Sequence, residues 1–226
     1  MLSIAIDGAC RRNGKPDCTS SGGVFFYGQC APGVNTCGVD YAHEYNSTNQ
    51  RGEMLALIKA LELVKESFYD IEVMIITDSE YLFNAMTKRW YDTWYYNEWY
   101  TSSGSLAKNA DLWEKIRNLM VWIDNTECEI HFYHIKGHCI PFGRVTADNL
   151  LMRDPSGRAL YNEVLKKFDT CAPTKHAVFA AAQELSEKNN GFKLYPDTFK
   201  QFVAMNVMAD AIATKAVDLA DSGRKR

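Results

Sequence analysis

The chain has 226 residues, 46% of them apolar, and a formal net charge of −3 at pH 7. This apolar fraction allows a substantial core and excludes global disorder. The charge does not indicate a nucleic-acid-binding protein, although bound cations could supply positive charge locally. No stretch approaches the about 20 consecutive apolar residues of a membrane span, so we expect no membrane association.

The cysteines number seven, and no two of them form a Cys-x-x-Cys pair. A disulfide framework and a structural zinc site are therefore not expected, and a reducing, cytoplasmic compartment fits best. The N-terminus has neither the charged region nor the long apolar core of a secretion signal. With no protein partner indicated, we expect a monomer.

The first elements are three predicted strands that follow one another closely. Alternating and apolar patterns place them at residues 2–8, 24–29 and 38–45. Residues 11–23 are rich in Gly, Ser and Asn, which predicts a loop. Adjacent short strands of this kind indicate an antiparallel meander.

The middle of the chain alternates between helices and strands. The clearest helix covers residues 50–67, where apolar side chains recur at helical spacing, and Thr48 or Asn49 could cap it. The apolar run 72–77 predicts a buried parallel strand. Further patterns predict helices at 79–86 and 111–123, and a fifth strand at 129–135. Together they indicate an α/β fold with a five-stranded mixed sheet flanked by helices.

From residue 140 onward the pattern becomes entirely helical. Helices are predicted at residues 156–168, 175–188, 196–205 and 206–219. Pro173, the Asn189-Asn190-Gly191 turn and Pro196 separate the first three.

Acidic residues occupy four settings from which their side chains can converge. Asp7 and Asp78 each end an apolar strand, whereas Glu53 and Asp210 lie near the starts of helical stretches. Carboxylates gathered at one point repel one another unless cations neutralise them, which predicts a site for hard divalent metals. Two such metals can bracket a phosphodiester in a nuclease. Taken singly, each acid could equally be a turn, cap or helix-dipole residue.

Five motifs in register resemble those of ribonuclease H, type 1. In chain order they are Ile6-Asp7-Gly8-Ala9-Cys10, Thr48-Asn49-Gln50-Arg51-Gly52-Glu53-Met54, Thr77-Asp78-Ser79-Glu80-Tyr81, Asn109-Ala110-Asp111-Leu112-Trp113 and Ile135-Lys136-Gly137-His138. The resemblance covers residues 1–138 and 206–220. It implies a ribonuclease H-like fold and cleavage of the RNA strand of RNA/DNA hybrids with Mg²⁺.

The resemblance also implies roles for single residues. Asp7 would bridge two Mg²⁺ ions, with Mn²⁺ as a possible substitute. Glu53 and Asp78 would hold the ion that activates the attacking water, and Asp210 the second ion. His138 would be the mobile histidine that aids proton transfer or product release. The product ends would be 5′-phosphate and 3′-hydroxyl, whereas His131 and His134 are interpreted as packing or surface residues.

The fourth acid has two candidates. Asp148 has the family's usual spacing of about ten residues after the histidine, but Pro155 soon interrupts the following run. Asp210 has the better-matching surroundings and a long helical pattern after it, so we favour it. The domains would then be a discontinuous ribonuclease H domain (1–139 and 206–221), a helical insertion (140–205) and a basic tail (222–226). The insertion could be a lid, a substrate clamp or a passive addition.

Substrate contacts follow from the same resemblance. The positions that match the family's minor-groove contacts are Asn13, Asn49, Gln50 and the backbone near Cys10, and Thr48 matches a DNA-phosphate contact. Trp90, Trp94 and Trp99 match the substrate-handle segment, although this chain has little positive charge there and the rings could instead belong to the core. Two other functions remain open, a DNA nuclease or resolvase of the same fold and a catalytically silent hybrid-binding module.

Overall fold

The computed structural model describes residues 1–31, 33–67, 71–137, 145, 156–171, 175–189, 192 and 194–224. Within these ranges the strands are β1 (Leu2–Arg11), β2 (Thr19–Ala31), β3 (Val34–Tyr45), β4 (Glu72–Thr77) and β5 (Glu129–His134). The helices are α1 (Asn49–Ser67), α2 (Glu80–Thr87), α3 (Trp90–Tyr96), α4 (Ala110–Ile123), α5 (Arg158–Cys171), α6 (Lys175–Lys188) and α7 (Pro196–Arg224).

The strands form one mixed sheet in the order β3-β2-β1-β4-β5. β1, β2 and β3 pair antiparallel, whereas β4 pairs parallel with both β1 and β5. This confirms the predicted fold class and meander. β4 lies between two other strands and is covered on both faces, which explains why residues 73–76 form an unbroken apolar run.

Helices cover both faces of the sheet, and alternating strand residues point to one layer or the other. On β1, Ile4 and Ile6 join the core cluster beneath α1 and α4, while Ala5 joins the cluster beneath α5 and α7. The apolar face of α1 is buried through Met54, Leu57 and other residues at helical spacing. The predicted periodicity of that helix is therefore confirmed.

β2 begins at Thr19, earlier than predicted. The small residues before Val24 do not form a loop; they belong to the strand and let helices pack closely against it. A Cβ atom on Gly22 would overlap the backbone of Ala56 in α1. A Cβ atom on Gly23 would overlap the carbonyl oxygen of Ala209 and the nitrogen of Ala213 in α7. The two glycines thus allow helices on opposite faces to approach the same strand closely.

α7 is one continuous helix of 29 residues, where the sequence predicted two. Its buried residues extend from Phe199 to Asp221, so the same packed face continues across the predicted break. The proposed domain boundary between residues 205 and 206 therefore falls inside a helix. None of the helices among the described residues has the length and apolar character needed to cross a lipid bilayer.

The loop after β1 is fixed both covalently and by ion pairs. A disulfide joins Cys10 to Cys18, contrary to the expectation from the cysteine count. The count could not reveal that the antiparallel pairing of β1 with β2 brings these two residues together. Arg11 binds Asp218 at 2.7 Å and Arg12 binds Asp221, so the loop also holds the C-terminal part of α7.

Candidate active site

Asp7 lies at the centre of the predicted acidic cluster. Ile6 of β1 pairs with Thr77 of β4, so Asp7, which lies within β1, is next to Asp78, the residue that follows β4. Loss of hydration raises the pKa of Asp7 well above its usual value, and the charges of Asp78, Asp210 and Glu53 raise it further. The structure therefore brings all four predicted acids within electrostatic range of one carboxylate.

Glu53 is held by hydrogen bonds to both carboxylate oxygens. The Ser79 hydroxyl donates to Oε2 at 2.6 Å, and the Asn49 amide donates to Oε1 at 3.2 Å. Burial raises the pKa of Glu53, the Ser79 hydrogen bond lowers it, and the Asp78 charge adds to the increase. Glu53 lies one turn beyond the start of α1, and an added Cβ on Gly8 would overlap its backbone nitrogen.

Asp78 is contacted from the end of β5. The ring nitrogen Nε2 of His134 lies 3.2 Å from the backbone oxygen of Asp78. A carbonyl oxygen only accepts hydrogen bonds, so this contact requires the proton on Nε2. A Cβ atom on Gly137 would overlap Oδ2 of Asp78, so a larger residue at this position would displace the carboxylate. The sequence analysis missed His134 as a neighbour of the site because a single histidine on a strand gives no such signal.

Asp210 reaches the cluster from α7, on the other face of the sheet from α1. Gly23 pairs with Asp7 in the sheet, and α7 approaches β2 closely at Gly23. This close approach brings Asp210 near Asp7. The competing fourth acid, Asp148, lies outside the described residues, as does His138. Their positions relative to Asp7 therefore stay predictions.

The donor set suits hard divalent cations, because it consists of carboxylate oxygens whose mutual repulsion a cation would relieve. Burial is the largest cause of the raised pKa of Asp7, and repulsion by the neighbouring carboxylates adds to it. Among the described residues, however, no three His, Cys, Asp or Glu side chains are arranged so that they could hold an ion as they stand. Binding would require the carboxylates to turn toward a common point.

The segment from Thr48 to Gly52 has a partner for each polar side chain. Thr48 is the N-cap, since its hydroxyl accepts from the Arg51 nitrogen at 3.3 Å. The Asn109 amide donates to the Gln50 oxygen at 3.1 Å. Arg51 forms ion pairs with Glu44 at 2.6 Å and with Asp111 at 2.7 Å, which raises the pKa of its guanidinium.

The exposed loop residue Asn13 lies next to this segment. Its side-chain oxygen accepts from the Asn49 nitrogen at 3.4 Å. The loop carrying Asn13 is closed by the disulfide of Cys10. The structure therefore collects Cys10, Asn13, Asn49 and Gln50 near the start of α1, although contact of any of them with a substrate stays a prediction.

Trp90, Trp94 and Trp99 are half-buried against the core cluster that lies beneath α1 and α4. The ring centroids of Trp94 and Trp113 are 5.5 Å apart, and those of Trp90 and Trp94 are 6.0 Å apart. Part of each of these rings is therefore packed in the core. Their partly exposed surface leaves a substrate contact as a proposal.

The sequence model of the RNase H family matches residues 2–154, which is more than half of the chain. The chain belongs to the RNase H family. A ribonuclease H from Clostridium botulinum is 34% identical over 136 residues, covering 60% of this chain and 82% of the relative. A ribonuclease HI from Rickettsia prowazekii is 32% identical over 163 residues, covering 72% and 94%. The protein is therefore a nuclease, as the motifs predicted.

A solved structure with the same fold covers nearly the whole chain. The PFV RNase H domain in solution has a TM-score of 0.52 and 15% identity, and the match covers 96% of this chain and 94% of that domain. The family match contains Asp148 and ends before Asp210. The range of the family match therefore includes one candidate for the fourth acid, whereas the charge of the other, Asp210, acts on Asp7.

Proposed function

We propose that the protein is an endonuclease that hydrolyses the RNA strand of RNA/DNA hybrids by two-metal-ion catalysis, leaving 5′-phosphate and 3′-hydroxyl ends. The observation that carries this proposal is the environment of Asp7: its pKa is raised first by burial and then by the charges of three further carboxylates, Asp78, Asp210 and Glu53. Membership of the RNase H family supplies the reaction class. The charge repulsion supplies the reason to expect divalent cations, with Mg²⁺ as the natural ion and Mn²⁺ as a substitute.

The four carboxylates would divide the work between two ion positions. Asp7 would contribute to both, Glu53 and Asp78 to the ion on the side of the attacking water, and Asp210 to the other. When bound, such ions lower the pKa of water and stabilise the charge of the leaving oxygen. His138 would move a proton or help the product leave, since imidazole titrates near neutral pH.

Recognition of the hybrid would use the polar residues at the start of α1. RNA differs from DNA by its 2′-hydroxyl, which both donates and accepts hydrogen bonds. Asn13, Asn49, Gln50 and the backbone at Cys10 would read this group, and Thr48 would contact a phosphate of the DNA strand. Trp90, Trp94 and Trp99 would present their exposed edges to the deoxyribose rings. We expect a monomer to be sufficient for this.

A second candidate function is a catalytically silent hybrid-binding module. It is favoured by one observation, that no three acidic, histidine or cysteine side chains among the described residues are arranged to hold an ion as they stand. The raised pKa of Asp7 favours the nuclease instead, since a binding module gains nothing from clustered, repelling carboxylates.

The test is an incubation of the purified protein with an RNA/DNA hybrid labelled on the RNA, in Mg²⁺ and in EDTA. We expect Mg²⁺-dependent cutting of the RNA, and no cutting of matched double-stranded RNA or DNA. Phosphatase sensitivity of the labelled products identifies their ends. Binding without cutting in both Mg²⁺ and Mn²⁺ would support the silent module, and cutting of double-stranded DNA would support a DNA nuclease.

A further inference from the structure

Asn189 follows α6 and pairs with the last residue of β5. Its side-chain oxygen accepts from the His134 nitrogen at 2.6 Å, and its amide donates to the His134 oxygen at 2.9 Å. The same amide group donates to the Leu185 oxygen at 2.7 Å. Asn189 is 6% exposed. Its side chain thus supplies both hydrogen bonds that a residue of a neighbouring strand would supply.

The strand end held by Asn189 is the part of β5 that touches Asp78. The His134 ring contacts the backbone oxygen of Asp78 at 3.2 Å. The next residue, Ile135, continues the pairing by donating to the Thr77 oxygen at 2.9 Å. Gly137 then passes so close to Oδ2 of Asp78 that a methyl group would not fit. Residues 134–137 therefore restrict the positions that the backbone oxygen and the carboxylate of Asp78 can take.

Within the described part of the sheet, β5 has a neighbouring strand on one side only, although Tyr133 and Ile135 near this end are buried in the core. That neighbouring strand is β4. Edge strands are held on one side and open more readily than central ones. A buried amide whose two hydrogen bonds replace a missing strand restricts the end of β5 at the point nearest to the acid.

We propose that Asn189 is a positioning residue for Asp78. It fixes the end of β5, and through His134 and Gly137 it fixes the direction of the Asp78 carboxylate. The proposal rests on the proposed function, in which Asp78 binds a metal. It also gives α6 a part in positioning the site, because Asn189 directly follows that helix and connects it to the end of β5. Partners of this kind typically change metal affinity or activity about 10- to 100-fold when they are removed.

The test compares Asn189→Asp with Leu185→Ala in the full chain. Asn189→Asp keeps the shape and one acceptor but loses both donated hydrogen bonds. Leu185 is a buried core residue, 4% exposed, whose truncation weakens the same helix and leaves the Asn189 hydrogen bonds intact. Three quantities are measured for each variant: the melting temperature, Mg²⁺ binding by calorimetry without substrate, and kcat and KM for the hybrid.

We expect Asn189→Asp to lower kcat and weaken Mg²⁺ binding by about 10-fold or more, with KM for the hybrid changed less than about 3-fold. Leu185→Ala should lower the melting temperature without weakening Mg²⁺ binding in the folded protein. Equal losses of Mg²⁺ affinity in the two variants, or wild-type kcat and Mg²⁺ affinity in Asn189→Asp, would overturn the positioning role. If Asn189→Asp does not fold, Asn189→Ser decides by the same criteria, since its hydroxyl can keep one hydrogen bond.

Asp78→Asn separates this proposal from the proposed function. If that variant still cuts the hybrid, the assigned metal site is wrong, and the role of Asn189 falls with it. If Asp78→Asn is inactive while Asn189→Asp behaves as wild type, only the role of Asn189 is wrong. Gly137→Ala is an independent check, because it should reproduce the loss of kcat by displacing the same carboxylate.

Discussion

The Ser79 hydroxyl donates a 2.6 Å hydrogen bond to Oε2 of Glu53 and so joins the start of α2 to an acid on α1. The Ser79 hydroxyl oxygen also accepts from the Leu82 nitrogen at 3.4 Å, which makes Ser79 the N-cap of α2. One side chain therefore begins a helix and also stabilises the charged form of a candidate metal ligand. These two contacts give a physical reason for a serine directly after Asp78 in the third motif.

Replacing Ser79 with Ala should move the acid limb of the pH–rate profile to higher pH. The hydroxyl lowers the pKa of Glu53, so its loss raises that pKa further above the usual value. If activity requires ionised Glu53, activity is then lost at a higher pH than in the wild type. Loss of the cap should also cost about 1 kcal/mol of stability. The exposed Ser222→Ala is the control, and an unmoved acid limb would show that the hydrogen bond does not tune Glu53.

Asp7→Asn should stabilise the protein without divalent metal at neutral pH. The folded-state pKa of Asp7 is raised, so its stabilising contribution is complete below the unfolded pKa of about 3.9 and is lost as pH rises through the folded pKa. The amide avoids this loss and should raise the melting temperature, by about 2–4 °C for each kcal/mol gained.

The same experiment contains its own controls. Near the unfolded pKa, wild type and Asp7→Asn should melt at closer temperatures, because Asp7 is then protonated. Mg²⁺ at neutral pH should raise the melting temperature of the wild type more than that of the variant. A variant less stable than the metal-free wild type at neutral pH would contradict the repulsion inferred around Asp7.

Gly23→Ala should destabilise the protein and reduce activity together. Its Cβ would overlap the Ala209 oxygen and the Ala213 nitrogen, so α7 must move away from β2 and carry Asp210 with it. Overpacking of this kind costs about 1–3 kcal/mol. Gly223→Ala is the matched control, because no atom lies within 4 Å of the added group. Wild-type stability in Gly23→Ala, measured by urea unfolding, would exclude the close approach.

The fourth acid can be assigned by comparing Asp210→Asn with Asp148→Asn. The charge of Asp210 raises the pKa of Asp7, so we expect Asp210→Asn to lower kcat by about 100-fold or more and Asp148→Asn to have a small effect. Mg²⁺ dependence of hybrid cleavage is the measurement. The reverse result would assign the fourth acid to Asp148, which lies within the family match over residues 2–154.

Most of the fold could be predicted because its patterns are local. The apolar run Glu72–Thr77 and the helix Lys175–Lys188 were predicted with the bounds that the structure has. The start of β2 could not be predicted, because Gly22 and Gly23 look like loop residues until the helices on both faces are known. The continuity of α7 likewise depends on tertiary burial from Phe199 to Asp221.

The candidate site shows the same division between local and tertiary information. Asp7, Glu53 and Asp78 were recognisable from strand ends, helix position and motif register, and the structure brings them together with Asp210. The local sequence around Ser79, His134 and Asn189 does not indicate their roles. Those roles depend on partners 26, 56 and 55 residues away. Such contacts can be seen only after the chain has folded.

Cleavage of a labelled RNA/DNA hybrid by Asp7→Asn at saturating Mg²⁺ tests the central claim most directly. The four carboxylates should act as one metal site around Asp7, so we expect kcat to fall by about 1,000-fold or more while hybrid binding and folding persist. A variant that is more stable than the metal-free wild type and yet inactive would connect the repulsion at Asp7 to its function. Cleavage within about 10-fold of wild type would show that the chemistry takes place elsewhere.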